Sequence, residues 1–247
     1  MSSDSRKAPF LKISALALKE LFSWINSPAL YGIMTFFLLF VSISFYYLQR
    51  FFAMDSATLR PFFSSFPPAF IFVIPVLTMK SWAEERKLGS AEILFTMPFT
   101  EWEMVGGKFL SCFLLLLAMI ILTLPVPLSL LPLGNFDLAL IFSEYLGVVL
   151  LSAAVTALGL FLSSISANQA ASFLGSVVIL LVLMLGNNFS QNMPPFFAAI
   201  MNYLSLSFHF ESFSRGLLDS RDIAFLLFTT ALFLFLNTRV LIERKWR

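Results

Sequence analysis

The stretch SWAEERKLGSAEILFTMPFTEWEMVGGK, residues 81–108, decides how this chain is organised, because it is the longest polar interruption between two long apolar runs. Five of the fourteen acidic residues of the chain lie in it: Glu84, Glu85, Glu92, Glu101 and Glu103. A segment with so many charges cannot lie in the hydrocarbon of a bilayer. We therefore predict that the two apolar runs are membrane spans, and that residues 81–108 join them in water as a polar hairpin.

Local signals predict a short helix inside the polar hairpin. Gly89 can adopt the left-handed conformation that ends a helix, and Ser90 then suits the N-cap of the next one. Pro98 ends that second helix, which therefore covers residues 91–97 and has about two turns. The hairpin thus contains a rigid element with defined ends.

This short helix carries apolar residues in a polar setting. Ile93, Leu94 and Met97 fit one face of it, and Glu92 lies away from that face. Exposed apolar side chains on a rigid polar loop indicate a contact with another protein. The alternative is a solvated loop that merely connects two spans.

Composition defines the class of protein. The chain has 247 residues, of which 59% are hydrophobic and 12% charged, and its mean hydropathy is +0.88. Soluble domains carry about 25% charged residues. The sequence therefore predicts an all-α, polytopic membrane protein. Its single Cys and single His exclude an intrachain disulfide and a metal site built from His and Cys clusters.

The order of apolar and polar segments predicts six transmembrane helices within a single domain over residues 1–247. An amphipathic elbow helix over residues 11–25 precedes the first span, and Pro28 separates the two. Its apolar stripe consists of Leu11, Ala15, Leu18, Phe22 and Ile25. The predicted spans cover residues 29–48, 62–78, 104–124, 145–165, 171–185 and 223–240.

Polar residues and prolines mark the ends of these spans. Thr100 and Glu103 match a capping box, so the helix of the third span should begin near residue 101. Proline-rich stretches should bend the second span and break the end of the third. Asp137 and Glu144 are placed before the fourth span, and residues 241–247 form a basic tail.

The region over residues 187–221 is too long for a simple turn, and we predict short re-entrant or interfacial helices on the outer side. His209 beside Glu211 forms a polar cluster at the outer surface, for which structural hydrogen bonding is a better explanation than catalysis. Arg215 follows Glu211 by a four-residue helical step and is expected to pair with it.

The distribution of Lys and Arg predicts the orientation. With six spans both termini lie on one side, and that side holds twelve of the sixteen basic residues, whereas the other side holds four. Cytoplasmic loops carry the excess of Lys and Arg, so both termini are predicted to be cytosolic.

Several chemistries are absent from the sequence. Lys108 follows two glycines but precedes Phe109 instead of Ser or Thr, so the chain has no P-loop and cannot itself hydrolyse ATP in the Walker manner. Neither HExxH nor GxSxG occurs. We predict that the chain is not an enzyme. No charged residue falls at the middle of an assigned span, which argues against an ion-driven pump.

Two segments resemble a known family. The first matches the coupling region of type-2 ABC-transporter permeases at Ser81, Trp82, Ala83, Glu84, Glu85, Arg86, Gly89, Glu92, Leu94, Pro98, Glu103, Gly107 and Lys108. The second matches the pattern before the last span at His209, Phe210, Glu211, Arg215, Gly216, Asp219 and Asp222. Within the family the chain most resembles the gliding-motility permease GldF and NosY-like permeases.

The resemblance implies a permease subunit of an ATP-binding-cassette exporter in the inner membrane. A separate cytosolic ATPase subunit would bind ATP and magnesium, so no cofactor is expected in this chain. The implied partners are this ATPase, a second permease chain and membrane lipid, but no nucleic acid. The alternative is a non-transporting scaffold or force-transmitting subunit.

The local signals and the resemblance together assign roles to residues. Ten residues of the coupling region, 80–103, would couple the permease to the ATPase: Glu84, Glu85, Arg86, Gly89, Ser90, Glu92, Ile93, Leu94, Met97 and Pro98. Four residues would have structural roles in the outer region: His209, Glu211, Arg215 and Gly216.

Overall fold

The structure, a computed structural model, describes residues 4–49, 58–87, 99–134, 136–190 and 194–245. Within these ranges the chain forms helices, turns and coil, without a β-strand. Six of the described helical segments are long and apolar enough to cross a membrane. The predicted all-α, polytopic membrane fold is therefore confirmed.

The helices follow one another along the chain with short connections. The first five are α1 (Asp4–Ile25), α2 (Pro28–Ile43), α3 (Arg60–Phe63), α4 (Phe66–Lys87) and α5 (Glu101–Ile121). The next six are α6 (Pro125–Leu130), α7 (Leu138–Ile165), α8 (Gln169–Ser190), α9 (Pro195–Leu204), α10 (Leu206–Ser214) and α11 (Ser220–Lys245). A π-helical turn, Ser44–Leu48, extends α2, and a 3-10 turn, Leu131–Leu133, follows α6.

Local side chains set several helix ends. The capping box expected before α5 is present: the Glu103 N–H donates to Thr100 Oγ1 at 3.3 Å, and the Thr100 N–H donates to Glu103 Oε2 at 2.8 Å. Asp137 caps α7 by accepting a hydrogen bond from the Ala139 N–H. These caps satisfy backbone N–H groups that have no partner within the helix.

Two long helices form the centre of the bundle. In α4 and α7, 72% and 78% of the most apolar window is buried, whereas the values for the other four spans lie between 28% and 39%. α7 packs against both α4 and α11, and α4 also packs against α8. The peripheral helices α2, α8 and α11 therefore present broad apolar surfaces outward, as expected of lipid-facing spans.

Phenylalanine fills the interface between α2 and α4. Phe37 of α2 contacts Phe66 and Phe70 of α4, with ring centroids 5.8 and 6.1 Å apart. Phe62 of α3 meets Phe66 edge to face at 5.4 Å. All four rings are fully buried, so part of the high phenylalanine content serves helix packing rather than lipid contact.

The bundle has two ends. The terminal face consists of α1, the start of α5 and the C-terminal ends of α4, α7 and α11, which converge around a small core that includes Leu16 and Leu241. The opposite face consists of α3, α9, α10 and the N-terminal ends of α4, α7 and α11. The described parts of the polar hairpin, residues 81–87 at the end of α4 and 99–108 at the start of α5, belong to the terminal face.

The predicted start of the fourth span is wrong, and the last helix continues into the predicted tail. Glu144 does not precede the fourth span: α7 begins at Leu138, and Glu144 is fully buried inside it. The predicted tail after residue 240 is helical as far as Lys245, and Leu241 is buried. Residues 138–142 are all apolar, so the apolar segment of the fourth span begins before Glu144, whereas packing against neighbouring helices continues α11 past residue 240.

Candidate functional site

A buried lysine lies at the centre of the terminal face. Lys108 of α5 is only 1% exposed, and its Nζ donates to Glu85 Oε1 of α4 at 2.6 Å and to Glu20 Oε1 of α1 at 3.3 Å. The same Nζ lies 4.8 Å from the ring centroid of Trp82. These four side chains, here called the Lys108 cluster, join α1, α4 and α5.

The position of Lys108 corrects the expectation that the whole of residues 81–108 lies in water. Lys108 is enclosed because α1 folds over the start of α5. A buried ammonium is tolerated only when acidic partners compensate its desolvation. Glu85 and Glu20 provide that compensation through charge-assisted hydrogen bonds. The cluster therefore makes the docking of α1 a condition for burying Lys108.

A glycine allows α1 to approach α5 closely. A Cβ atom at Gly107 would lie 2.8 Å from Leu16 Cδ2 and 3.0 Å from Leu16 Cβ, too close for any side chain without movement of α1. Leu16 belongs to a small core with Trp82, Met104, Val105 and Leu241. Apolar packing and the Lys108 cluster thus hold the elbow helix at the same place.

The elbow helix has apolar residues on two sides. Leu16, Ala17 and Trp24 are buried against the bundle. The residues of the predicted stripe instead point away from the protein: Leu11, Ala15, Leu18, Phe22 and Ile25 are all exposed. An exposed apolar stripe on a helix that precedes a span suits a position in the membrane interface.

A second set of contacts fixes the end of α4 to the end of α7. The Arg86 guanidinium donates to the backbone carbonyls of Ser163 and Trp82. The Ser163 hydroxyl lies 3.3 Å from the backbone nitrogens of Trp82 and Ala83, which donate to it. Both ends of the polar hairpin are therefore attached to fixed parts of the bundle: α4 to α7, and α5 to α1.

A cavity of about 340 Å³ opens between α1 and α4 on the terminal face. Its charged wall residues are Lys19, Glu20, Lys80, Glu84 and Glu85. Because charges of both signs line it, the cavity suits a polar protein surface better than an apolar ligand.

The structure describes three of the ten predicted coupling residues. Glu84 lines the cavity, Glu85 belongs to the Lys108 cluster, and Arg86 binds the end of α7. The other seven lie outside the described residues: Gly89, Ser90, Glu92, Ile93, Leu94, Met97 and Pro98.

Sequence reasoning missed Glu20 and Ser163. Glu20 lies 88 positions before Lys108, and only the polar side of the elbow helix could have indicated it. Ser163 looks like any hydroxyl in an apolar helix, so no local signal could have identified it.

On the opposite face His209 is buried and joins three helices. Its Nδ1 lies 2.6 Å from Asp222 Oδ1 of α11, and its Nε2 lies 3.0 Å from the Tyr203 carbonyl oxygen of α9. The ring also stacks on Phe225 at 3.8 Å between centroids. The predicted surface cluster of His209 with Glu211 is therefore wrong, because α10 turns His209 inward.

Glu211 makes different contacts. Its Oε1 accepts from Arg215 Nη2 at 2.9 Å, the contact expected from their spacing, and from Arg60 Nη2 at 3.2 Å. Gly216 ends α10 with φ +73°, and the Gly216 and Leu217 N–H groups donate to the last carbonyls of the helix. This glycine turn leads the chain back toward α11.

Glu144 is a buried acidic residue whose side chain makes no hydrogen bond to the residues that the structure describes. Its side chain is fully buried in α7, and neither carboxylate oxygen has a hydrogen-bond partner in the part of the chain that the structure describes. The neighbouring Ser143 hydroxyl, in contrast, donates to the Phe213 carbonyl oxygen at 3.2 Å.

We expect the substitution Glu144→Leu to raise the apparent unfolding midpoint of the purified protein. Removing a buried polar group that has no partner recovers about 1–3 kcal/mol. The matched control is Ser143→Ala, which removes a buried hydroxyl together with its hydrogen bond to the Phe213 carbonyl oxygen, so the midpoint should fall. A lower midpoint for Glu144→Leu would show that the carboxyl group is stabilised in the folded protein.

One comparison with known proteins gives a match. A family model described as "ABC-2 family transporter protein" matches residues 55–239, well over half of the chain. The matched range contains Glu85, Lys108 and the opposite face, whereas the elbow helix with Glu20 precedes it. A comparison with curated proteins finds no match.

Proposed function

This chain belongs to the ABC-2 family of transporter proteins and is a membrane subunit of an ATP-binding-cassette transporter, and on that premise we propose that it is the permease subunit of an exporter. A separate cytosolic ATPase subunit binds ATP and magnesium and supplies the energy. The permease chain moves the substrate outward across the inner membrane.

The Lys108 cluster is the observation that carries this proposal. It links the two helices that flank the polar hairpin to each other and to the elbow helix. A displacement of the hairpin by an ATPase therefore moves α4, α5 and α1 together rather than bending one of them. Because α4 is packed at the centre against α7 and α8, the displacement reaches the core of the bundle.

The hairpin provides the docking surface in this proposal. Its predicted short helix, residues 91–97, inserts Ile93, Leu94 and Met97 into an apolar cleft of the ATPase. Buried apolar anchors contribute most of the affinity of such interfaces, and charges at the rim mainly set specificity. The charged cavity beside Glu84 receives polar groups of the same partner.

The orientation and assembly follow from the same proposal. The terminal face lies in the cytosol, in agreement with the excess of basic residues predicted for that side. A second permease chain completes the transporter, and it packs against part of the apolar surface that α2, α8 and α11 leave uncovered. GldF-like and NosY-like permeases are the proposed subgroup.

The substitution Leu94→Asp tests the docking surface. We expect it to abolish copurification of the co-expressed ATPase subunit, because an unpaired charge in an apolar cleft costs several kcal/mol. The matched control is Leu217→Asp, which places the same charge at an exposed leucine of the opposite face. The measurement is the amount of ATPase retained on the tagged permease after detergent extraction.

If both variants retain equal amounts of the ATPase, the hairpin is not part of the docking surface. A non-transporting scaffold is distinguished by a second measurement on the intact pair in liposomes. A permease requires ATP-dependent movement of a substrate across the bilayer, whereas a scaffold retains the ATPase without such movement.

A further inference from the structure

A second cavity, of about 360 Å³, lies on the opposite face, where α3 and the start of α4 meet the end of α8 and α10. One part of its wall is apolar and consists of Pro67, Pro68, Met184, Leu185 and Phe210. The other part is polar and consists of Arg60, Ser64, Ser207, Glu211 and Ser214. The cavity is therefore itself amphipathic, with a separate polar end and apolar side.

The polar end of the cavity has more hydrogen-bond donors than acceptors, although its two charged wall residues, Arg60 and Glu211, balance each other. Glu211 Oε1 accepts from both Arg60 and Arg215, at 3.2 and 2.9 Å, so one carboxylate is shared by two guanidinium groups. A guanidinium group has five N–H donors in a fixed fork, and a single shared oxygen cannot occupy them all. The buried Glu144, on which Arg60 acts electrostatically, does not line the cavity.

Two hydroxyl groups of the wall, those of Ser207 and Ser214, lack a strong hydrogen-bond acceptor among the described residues. The Ser207 hydroxyl donates to Met184 Sδ at 3.5 Å, and a thioether sulfur is a weak acceptor. The Ser214 hydroxyl makes no hydrogen bond to any other residue that the structure describes. In contrast, the Ser64 hydroxyl already donates to the Pro61 carbonyl oxygen at 2.9 Å.

We propose that this cavity binds the anionic head group of a long-chain amphiphile. A phosphate or carboxylate accepts hydrogen bonds from Arg60, Ser207 and Ser214, and the alkyl chain lies along Pro67, Leu185 and Phe210. A site that offers mainly hydrogen-bond donors, one of them a guanidinium group, favours an anion over a cation. The apolar wall favours a chain-bearing anion over a free one.

This inference deepens the proposed function, because the transport of such an amphiphile rests on the chain being a permease. The amphiphile has two sources: a phospholipid of the surrounding bilayer, or a single-chain cargo molecule. Binding is measured on the permease alone, whereas the docking of the ATPase is measured by copurification. A failure of one proposal is therefore distinguishable from a failure of the other.

Native mass spectrometry of the purified full chain in detergent tests the ligand class. Phosphatidic acid represents the bilayer lipid and dodecyl phosphate the single-chain source. We expect at least one of them to bind roughly tenfold more tightly than phosphatidylcholine and dodecyltrimethylammonium, and the tighter of the two identifies the source. Equal binding of the cationic or zwitterionic probe, or equally tight binding of inorganic phosphate, overturns the proposal.

Variants locate the binding within the fold. Arg60→Gln should weaken binding of the anionic probe roughly tenfold or more, because a hydrogen bond to a charged group is lost. The matched control is Arg215→Gln, which removes the other partner of Glu211 but does not line the cavity. Binding to this control should stay within about threefold of the unmodified chain.

A second variant keeps the proposal testable if Arg60→Gln fails to fold. The double substitution of Ser207→Ala with Ser214→Ala removes only two hydroxyl oxygens and should weaken binding at least about fivefold, as expected for two lost hydrogen bonds. Two results would overturn the proposed site: unchanged binding by this double variant, or equal losses of affinity in Arg60→Gln and Arg215→Gln. Either result would mean that the anion is attracted by general surface charge and not by this cavity.

Discussion

The substitution Lys108→Met is expected to release the elbow helix from the bundle and to lower the apparent unfolding midpoint by on the order of 6–12 °C. The side chain of Lys108 is buried, whereas Glu85 and Glu20 are each about one-fifth exposed. Removing one partner from a buried ion pair leaves uncompensated charge and costs about 3 kcal/mol. Faster tryptic cleavage after Lys19, which is exposed on α1, reports the release of the helix directly.

The control for this experiment is Lys80→Met. Lys80 is also a basic residue of the terminal face, where its Nζ lies 5.2 Å from the ring centroid of Trp24. It is partly exposed, so its loss should cost less than about 1 kcal/mol. Adding Glu20→Gln and Glu85→Gln to Lys108→Met should restore most of the stability, because no buried charge then remains uncompensated. Equal effects of the two lysine substitutions would contradict the role assigned to the Lys108 cluster.

The substitution Gly147→Ala is expected to destabilise the protein by about 1–3 kcal/mol, although alanine is normally the better helix former. A Cβ atom at Gly147 of α7 would lie 2.7 Å from Phe213 Cγ and 2.8 Å from Phe213 Cβ of α10. The ring of Phe213 is fully buried and cannot move aside without displacing α10. The apparent unfolding midpoint measures the cost.

Gly175→Ala is the matched control, because a Cβ atom at Gly175 of α8 has no heavy atom within 4 Å. This substitution should leave the midpoint unchanged or raise it, since alanine restricts the unfolded chain more than glycine does. The two alanine variants thus have opposite expected signs. If the unfolding midpoint falls equally in both variants, the contact between α7 and α10 is not the cause of the destabilisation.

The Gly147 contact also concerns the second cavity. α10 supplies Phe210, Glu211 and Ser214 to its wall. A displacement of α10 by Gly147→Ala should therefore weaken binding of the anionic amphiphile as well as stability. In this fold one helix, α7, supports both faces. The Ser163 carbonyl oxygen at its C-terminal end accepts a hydrogen bond from Arg86, and its N-terminal part packs against α10.

The sequence by itself determined the features that depend on local chemistry. The apolar segments predicted six spans because a bilayer requires about twenty apolar residues for each crossing helix. The capping box at Thr100 and Glu103 predicted the start of α5, since both partners lie within one helical turn. The spacing of Glu211 and Arg215 predicted their contact for the same reason.

Only the tertiary structure decided which distant residues meet. Lys108, Glu85 and Glu20 are far apart in the chain, and their types alone suggested solvated charges. Glu144 looked like a flanking residue, and His209 like a partner of Glu211, until helix packing buried both. Local propensity fixes where a helix begins and ends to within a few residues. The side of a helix that becomes buried, however, depends on which neighbours cover it, and that is a property of the assembled bundle.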